Sequence, residues 1–153
     1  MTDTVPRSVV DAFYEAWAAR DADKVLAFLT DDVEWTISGP VDVLPFCGSR
    51  RGKEAVRVLI ERDVPAVFEV FNFVTDTVLI DGRRVATLNR LAARRASDAR
   101  VISYRLAHFL EFAEGKITDA VSLIDSFDAV EQVLGHPLAV HEDAPAIAGV
   151  VAV

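Results

Sequence analysis

The stretch Gly115–Gly135, GKITDAVSLIDSFDAVEQVLG, carries an apolar run that ends on a carboxylate, Asp125. Val121, Leu123 and Asp125 alternate at period two, so they share one face of a strand. If that face lines a cavity, desolvation lifts the aspartate's pKa toward the range of a general base. Such a base removes a proton beside a carbonyl when a donor stabilises the resulting oxyanion. Asp125 also precedes SFDAVEQ, where Asp and Ser are good helix caps, so a structural role stands beside the catalytic one.

Arg90 alternates with Leu88 and Ala92 in an otherwise apolar strand. A buried guanidinium needs a partner, and Asp125 is the natural one. A bidentate pair fixes both groups but lowers the aspartate's pKa. The other reading of Arg90 is an edge or solvent position. Tyr14 can give its hydroxyl to a ligand oxygen, and Trp17, Trp35 and Phe46 are candidate pocket walls; aromatic residues at such spacing also make plain core. His108 alternates with Tyr104, Leu106 and Leu110, while Phe109 shares the other face with Ala107 and Arg105. Cys47 is a weak nucleophile candidate, since no histidine partner is indicated. His108, His136 and His141 lack metal-ligand spacing, and GSRRGK lacks the strand that precedes a phosphate loop. Neither a metal nor a cofactor is expected.

The elements that must position these groups fall into two halves. TVPRSVVDAFYEAWAARD reads as a helix with Val9, Phe13 and Trp17 on one face. Asp21 is the N-cap of a second short helix, ADKVLAFL. DDVEWTIS reads as a strand, GPVDVLPFCGSRRG as a loop, and KEAVRVLIERD as a helix stopped before Pro65. After Pro65 come long strands: AVFEVFNFVTDTVLI, a DGRR turn, VATLNRLAARR, RVISYRLAHFLEF and KITDAVSLID. A last helix, SFDAVEQVL, ends at Gly135. Helices first and a meander of strands after predicts an α+β fold, with N-terminal helices packed on a curved antiparallel sheet. Residues 1–135 are expected to form one domain and residues 136–153 a C-terminal tail, partly docked or mobile.

The 153 residues suffice for one domain with a sizeable core. With 52% hydrophobic residues the chain is no disordered segment. No run approaches the roughly 20 apolar residues that span a bilayer, and MTDTVPRSVV lacks the pattern of a secretory signal. One cysteine, Cys47, suits a reducing, cytoplasmic setting. A net charge of -8 argues against nucleic acid; Arg83, Arg84, Arg90, Arg94 and Arg95 read as turn and strand-edge charges.

VVDAFYEAWAARDADKVLAFLTDDVEW, the Gly/Pro loop, RGKEAVRVLIE and HFLEFAEGKITDAVSLIDSFD together resemble the SnoaL-like branch of the nuclear transport factor 2-like superfamily, over about Val9 to Val133. The resemblance implies a cone-shaped α+β fold with an apolar pocket, a homodimer formed through the outer face of the sheet, and a small apolar molecule as partner. Members include ketosteroid isomerase, limonene epoxide hydrolase, polyketide cyclases and proteins without catalysis. The isomerase tyrosine falls at Phe13, with Tyr14 one step round; its two aspartates fall near Ile37 and at Ala107, so that mechanism is not expected. The hydrolase's Asp-Arg-Asp set maps to Arg90, Ala92 and Asp125, with its tyrosine near Trp35 and its asparagine near Ile37. The cyclases' aspartate and histidine map to Asp125 and His108. The isomerase comparison puts Ala107, and with it Phe109, inside the cone, and turns His108 outward toward a dimer partner.

The expected activity is general acid/base chemistry on an apolar carbonyl or epoxide compound. Asp125, Arg90 and Tyr14 are the catalytic candidates, and Trp17, Trp35, Phe46, Phe109 and His108 the binding ones. The alternative is a non-catalytic ligand-binding or dimerisation module.

Overall fold

A computed structural model describes residues 3–139 and 148–149. Helix α1 (Arg7–Ala18) buries Val10, Phe13, Tyr14, Ala16 and Trp17, a stripe set by the 3.6-residue repeat. Pro6, in extended conformation, opens it. Its end is a Schellman turn: Arg20 N–H donates to the Trp17 carbonyl and Asp21 N–H to that of Ala16. Arg20 stands at the left-handed position of that turn, with φ 55°, where glycine is usual. The Asp21 carboxylate accepts from Lys24 N–H and caps α2 (Ala22–Leu26), as the sequence predicts.

Strand β1 (Leu29–Ser38) is followed by a loop and a short strand, β2 (Gly48–Arg51), that pairs antiparallel with it. The sequence reading takes all of 39–52 as loop; four residues with two arginines carry no strand pattern of their own, and only the β1 edge makes them one. Helix α3 (Lys53–Val58) continues into a π-helical turn, Leu59–Asp63. The meander is β3 (Phe68–Asp81), β4 (Arg84–Arg95), β5 (Val101–Ala113) and β6 (Lys116–Ile124). Glu114 and Gly115 both take positive φ between β5 and β6, as a two-residue hairpin turn demands. Helix α4 (Ser126–Leu134) stops at Gly135, whose φ of 80° is the left-handed conformation that favours glycine and against which the Arg95 guanidinium packs.

The sheet order is β2-β1-β6-β5-β4-β3. The fold is the expected curved α+β architecture, with one refinement: β1 and β6 run parallel, which makes the sheet mixed. The long crossing from β1 to β6 permits this, and register shifts in three of the pairings mark where the ladder bends. Alternate residues of β1, β4, β5 and β6 face the helices and form a continuous buried core with α1 and α3. Of the expected tail, Leu138 packs on that core and its N–H donates to Glu131; residues 140–147 and 150–153 lie outside the described residues.

Candidate functional site

Four polar side chains sit buried on the otherwise largely apolar inner face of the sheet: Thr87, Asn89, His108 and Ser122. Strand register lines up three of them, for Thr87 pairs with His108 across β4–β5, and His108 with Ser122 across β5–β6. Tyr14 reaches them from α1. Its hydroxyl lies 2.7 Å from Thr87 Oγ1 and 3.0 Å from His108 Nδ1. Asn89 Nδ2 donates to Thr87 Oγ1 at 2.9 Å, and Thr75 Oγ1 donates to Asn89 Oδ1 at 2.8 Å.

Asn89 Nδ2 fills one lone pair of Thr87 Oγ1, and the Thr87–Tyr14 pair shares one proton in either sense. His108 Nδ1 accepts from Tyr14 when the imidazole proton sits on Nε2, and in that tautomer Nε2–H is a donor. Burial, followed by the charge of Arg20, holds its pKa down to about 3, so it is neutral at pH 7. Burial likewise pushes the Tyr14 phenol above its ordinary range, against the bond from Thr87, so it stays protonated.

His108 lines a small interior cavity together with Trp17, Trp35, Phe73, Tyr104 and Leu106. The cavity measures about 30 Å³, room for about two waters. Trp17 and Trp35 stack at 5.0 Å between ring centroids. Both indole N–H groups are buried without a hydrogen-bond partner. The lining residues that keep contact with solvent are Arg20 and Ile124. The Arg20 guanidinium lies over the Trp17 ring, 4.9 Å from its centroid. Burial lowers its pKa to about 10, with Tyr104 acting in the other direction.

The SnoaL-like domain family matches residues 10–120, which is most of the fold and the inner face just described. This chain belongs to the SnoaL-like family. A proposed isomerase from Rhodopseudomonas palustris is 31% identical, with 83% of this chain and 93% of that one covered and a TM-score of 0.71. A proposed polyketide cyclase from Xanthomonas campestris pv. campestris (21% identity, 82% and 94% covered, TM-score 0.65) shares the fold. So does an LEH-like epoxide hydrolase from M. tuberculosis (24% identity, 84% and 88% covered, TM-score 0.64). A comparison with curated proteins finds no match.

Within this SnoaL-like chain the predicted site residues separate into two groups. Tyr14, Trp17, Trp35, Phe46 and His108 are gathered inside, four of them on the cavity wall and Tyr14 behind His108. His108 corrects the expectation that it faces outward, and Phe109 the expectation that it faces inward: His108 is 2% exposed and Phe109 50%. The buried set of β5 is Ile102, Tyr104, Leu106, His108, Leu110 and Phe112. Aligning Ala107 inside is a one-residue register error, and such an error exchanges the faces of a whole strand.

Asp125 and Arg90 form the other group. Asp125 is exposed and its side chain caps no amide of α4, so neither the shielded base nor the cap is realised. The face it shares with Val121 and Leu123 is the outer one. Arg90 is exposed too and is held by Asp76, not Asp125, through bonds of 2.7 and 2.9 Å. Asp76 sits on the neighbouring strand beside a register shift, which turns it toward Arg90. Arg90 and Asp125 share only an open groove of about 390 Å³ on the outer surface. Cys47 is buried, and its thiol is pushed up to about 11 by burial, against Arg50, so it is no nucleophile at pH 7.

Thr87, Asn89, Ser122, Tyr104 and Arg20 are absent from the sequence candidates. The signal for the first three is a polar residue at an inward position of an apolar alternation, as in V-A-T-L-N-R-L. Nothing local marks Arg20.

Proposed function

We propose that this protein binds an apolar carbonyl compound in the cone and promotes its enolisation, as an isomerase or cyclase does. The observation that carries this is the buried chain Thr75–Asn89–Thr87–Tyr14–His108, which ends on the cavity wall. A hydrogen-bond donor fixed in a dry site stabilises an oxyanion without reorganisation. In the proposed step the C–H bond next to the carbonyl breaks. Its electron pair forms the new C=C bond and the carbonyl π pair moves onto the oxygen, which the Nε2–H tautomer of His108 holds as the enolate, while a water at the solvent-facing rim takes the proton. The epoxide branch is less well supported, because it needs acid and base carboxylates and none lines the cavity among the described residues. That same fact favours the second reading, a ligand-binding module without catalysis.

Both tryptophans of the chain line the cavity, so their fluorescence reports occupancy. Titration with 2-tetralone is expected to quench it, and α-proton exchange in deuterated buffer is expected to exceed the buffer rate. His108→Asn should lower that excess by about 10²–10³-fold. Quenching with exchange at the buffer rate supports the module; no quenching ends the pocket reading.

We propose further that a second copy of the chain covers the outer face of the sheet. Register places Leu79, Ala86, Phe109 and Val121 in one row, and Leu88, Ala107 and Leu123 in the next, with all but the alanines substantially exposed. Charged groups of both signs bound these rows, Glu111 with Arg84 and Asp119 at one end and Arg90 with Arg105 and Asp76 at the other, so the apolar rows are the part a second copy would cover. Sedimentation should give a dimer and Phe109→Asp a monomer; a monomeric wild type refutes this.

A further inference from the structure

The cavity's polar lining is Arg20, His108, the two tryptophans and the hydroxyls of Tyr104 and Ser122. Trp17 and Trp35 are each more than nine-tenths buried, and their indole N–H groups have no hydrogen-bond partner. At the solvent-facing rim stands Arg20, a full positive charge. No carboxylate among the described residues pairs with it. The other arginines that are substantially buried have partners: Arg95 has Asp98, and Arg50 has Asp63 at 3.8 Å. A buried donor with nothing to bind is costly, and a guanidinium without a counter-charge more so.

Backbone geometry adds a second, independent observation. Arg20 occupies a left-handed position at the end of α1, where glycine has no penalty and a branched or long side chain does. A residue kept in such a conformation points to a function for its side chain. Here the turn sends the guanidinium back along α1, over the Trp17 ring. Trp17 in turn stacks on Trp35, so the cation and the two indoles are contiguous.

We infer that the cavity is an anion-accepting site, in which Arg20 and the indole N–H groups of Trp17 and Trp35 receive the carboxylate of a small aromatic acid. Acceptor oxygens satisfy the orphaned donors, and the negative charge answers the positive charge of Arg20. The ring of the ligand stacks among the tryptophans and displaces Phe46, which a loop and not a strand holds in place. The inference names the ligand class for the cavity proposed above; it rests on that cavity being the binding site and not on catalysis there.

Benzoate and its neutral isostere benzamide, titrated against tryptophan fluorescence, test it. Wild type should bind benzoate at least tenfold more tightly than benzamide. Arg20→Gly, which suits the left-handed backbone, should fold and lose that preference, with benzamide affinity falling less than benzoate affinity. Arg20→Lys should keep most of it. Equal binding of the two probes by wild type, or a preference that survives Arg20→Gly, overturns the anion inference and leaves the pocket reading standing. Binding of neither probe, together with no response to 2-tetralone, overturns both.

Discussion

Lowering the pH from 7 to 5 probes His108 with little interference, because carboxylates titrate mainly below that window. The ordinary histidine value is 6.5, and the folded protein holds His108 at about 3, through burial and then the charge of Arg20. Above the ordinary value neither the folded nor the unfolded chain holds the proton, so the group contributes nothing to the pH dependence. Below it the unfolded chain takes up a proton that the folded chain refuses, so stability falls as the pH falls, until about pH 3. The slope approaches ~1.4 kcal/mol per pH unit, which integrates to about 2 kcal/mol between pH 7 and pH 5. Urea denaturation at the two pH values measures it. His108→Asn is the control: its amide oxygen still accepts from Tyr14, but it cannot titrate. The variant should be less stable at pH 7 by about 1–3 kcal/mol, from lost ring packing against Phe73 and Trp17. It should nevertheless lose about 2 kcal/mol less than wild type on going to pH 5. Equal losses in the two proteins would refute the burial of a neutral histidine.

Arg20→Gly should stabilise the ligand-free protein by about 1 kcal/mol, since it relieves the left-handed backbone and removes an unpaired charge; a lower Tm would contradict this. Asp125→Asn should change stability by less than about 0.5 kcal/mol and leave 2-tetralone binding unaltered, whereas Tyr14→Phe strips a bond from both Thr87 and His108 and should cost about 1–3 kcal/mol. Gly39→Ala should destabilise by about 1–3 kcal/mol, because its new methyl would stand 2.5 Å from Cys47 Sγ and 3.2 Å from Ile124. Adding Cys47→Ala should recover part of that loss, and strictly additive effects would show that the two sites do not touch.

Much of the architecture was legible along the chain. The α1 stripe, the Asp21 cap, the β-hairpin turns and the Gly135 stop are local events, decided by residues a few positions apart. Strand β2 was not, because its reason to be a strand is the β1 edge it pairs with, Glu34 with Arg51 through Ile37 with Gly48, across the intervening loop. The site was half legible. Tyr14, Trp17, Trp35 and Phe46 carry their apolar faces in their own spacing. His108 and Phe109 exchanged sides because alternation defines two faces without saying which is inner. Tyr104, Leu106 and Leu110 already outvoted Ala107 on that question, and the hydrophobic majority of the strand was the better guide.

By itself, then, the order of residues determined the element types, their succession and the membership of each strand face, since backbone geometry and hydrophobic period act over short range. Tertiary structure alone decided that Asp125 meets solvent, that Arg90 takes Asp76, and that Arg20 stands over Trp17 with no carboxylate partner among the described residues. Charges settle where distant chain segments place a partner or exclude water, and neither condition is written in the neighbouring residues.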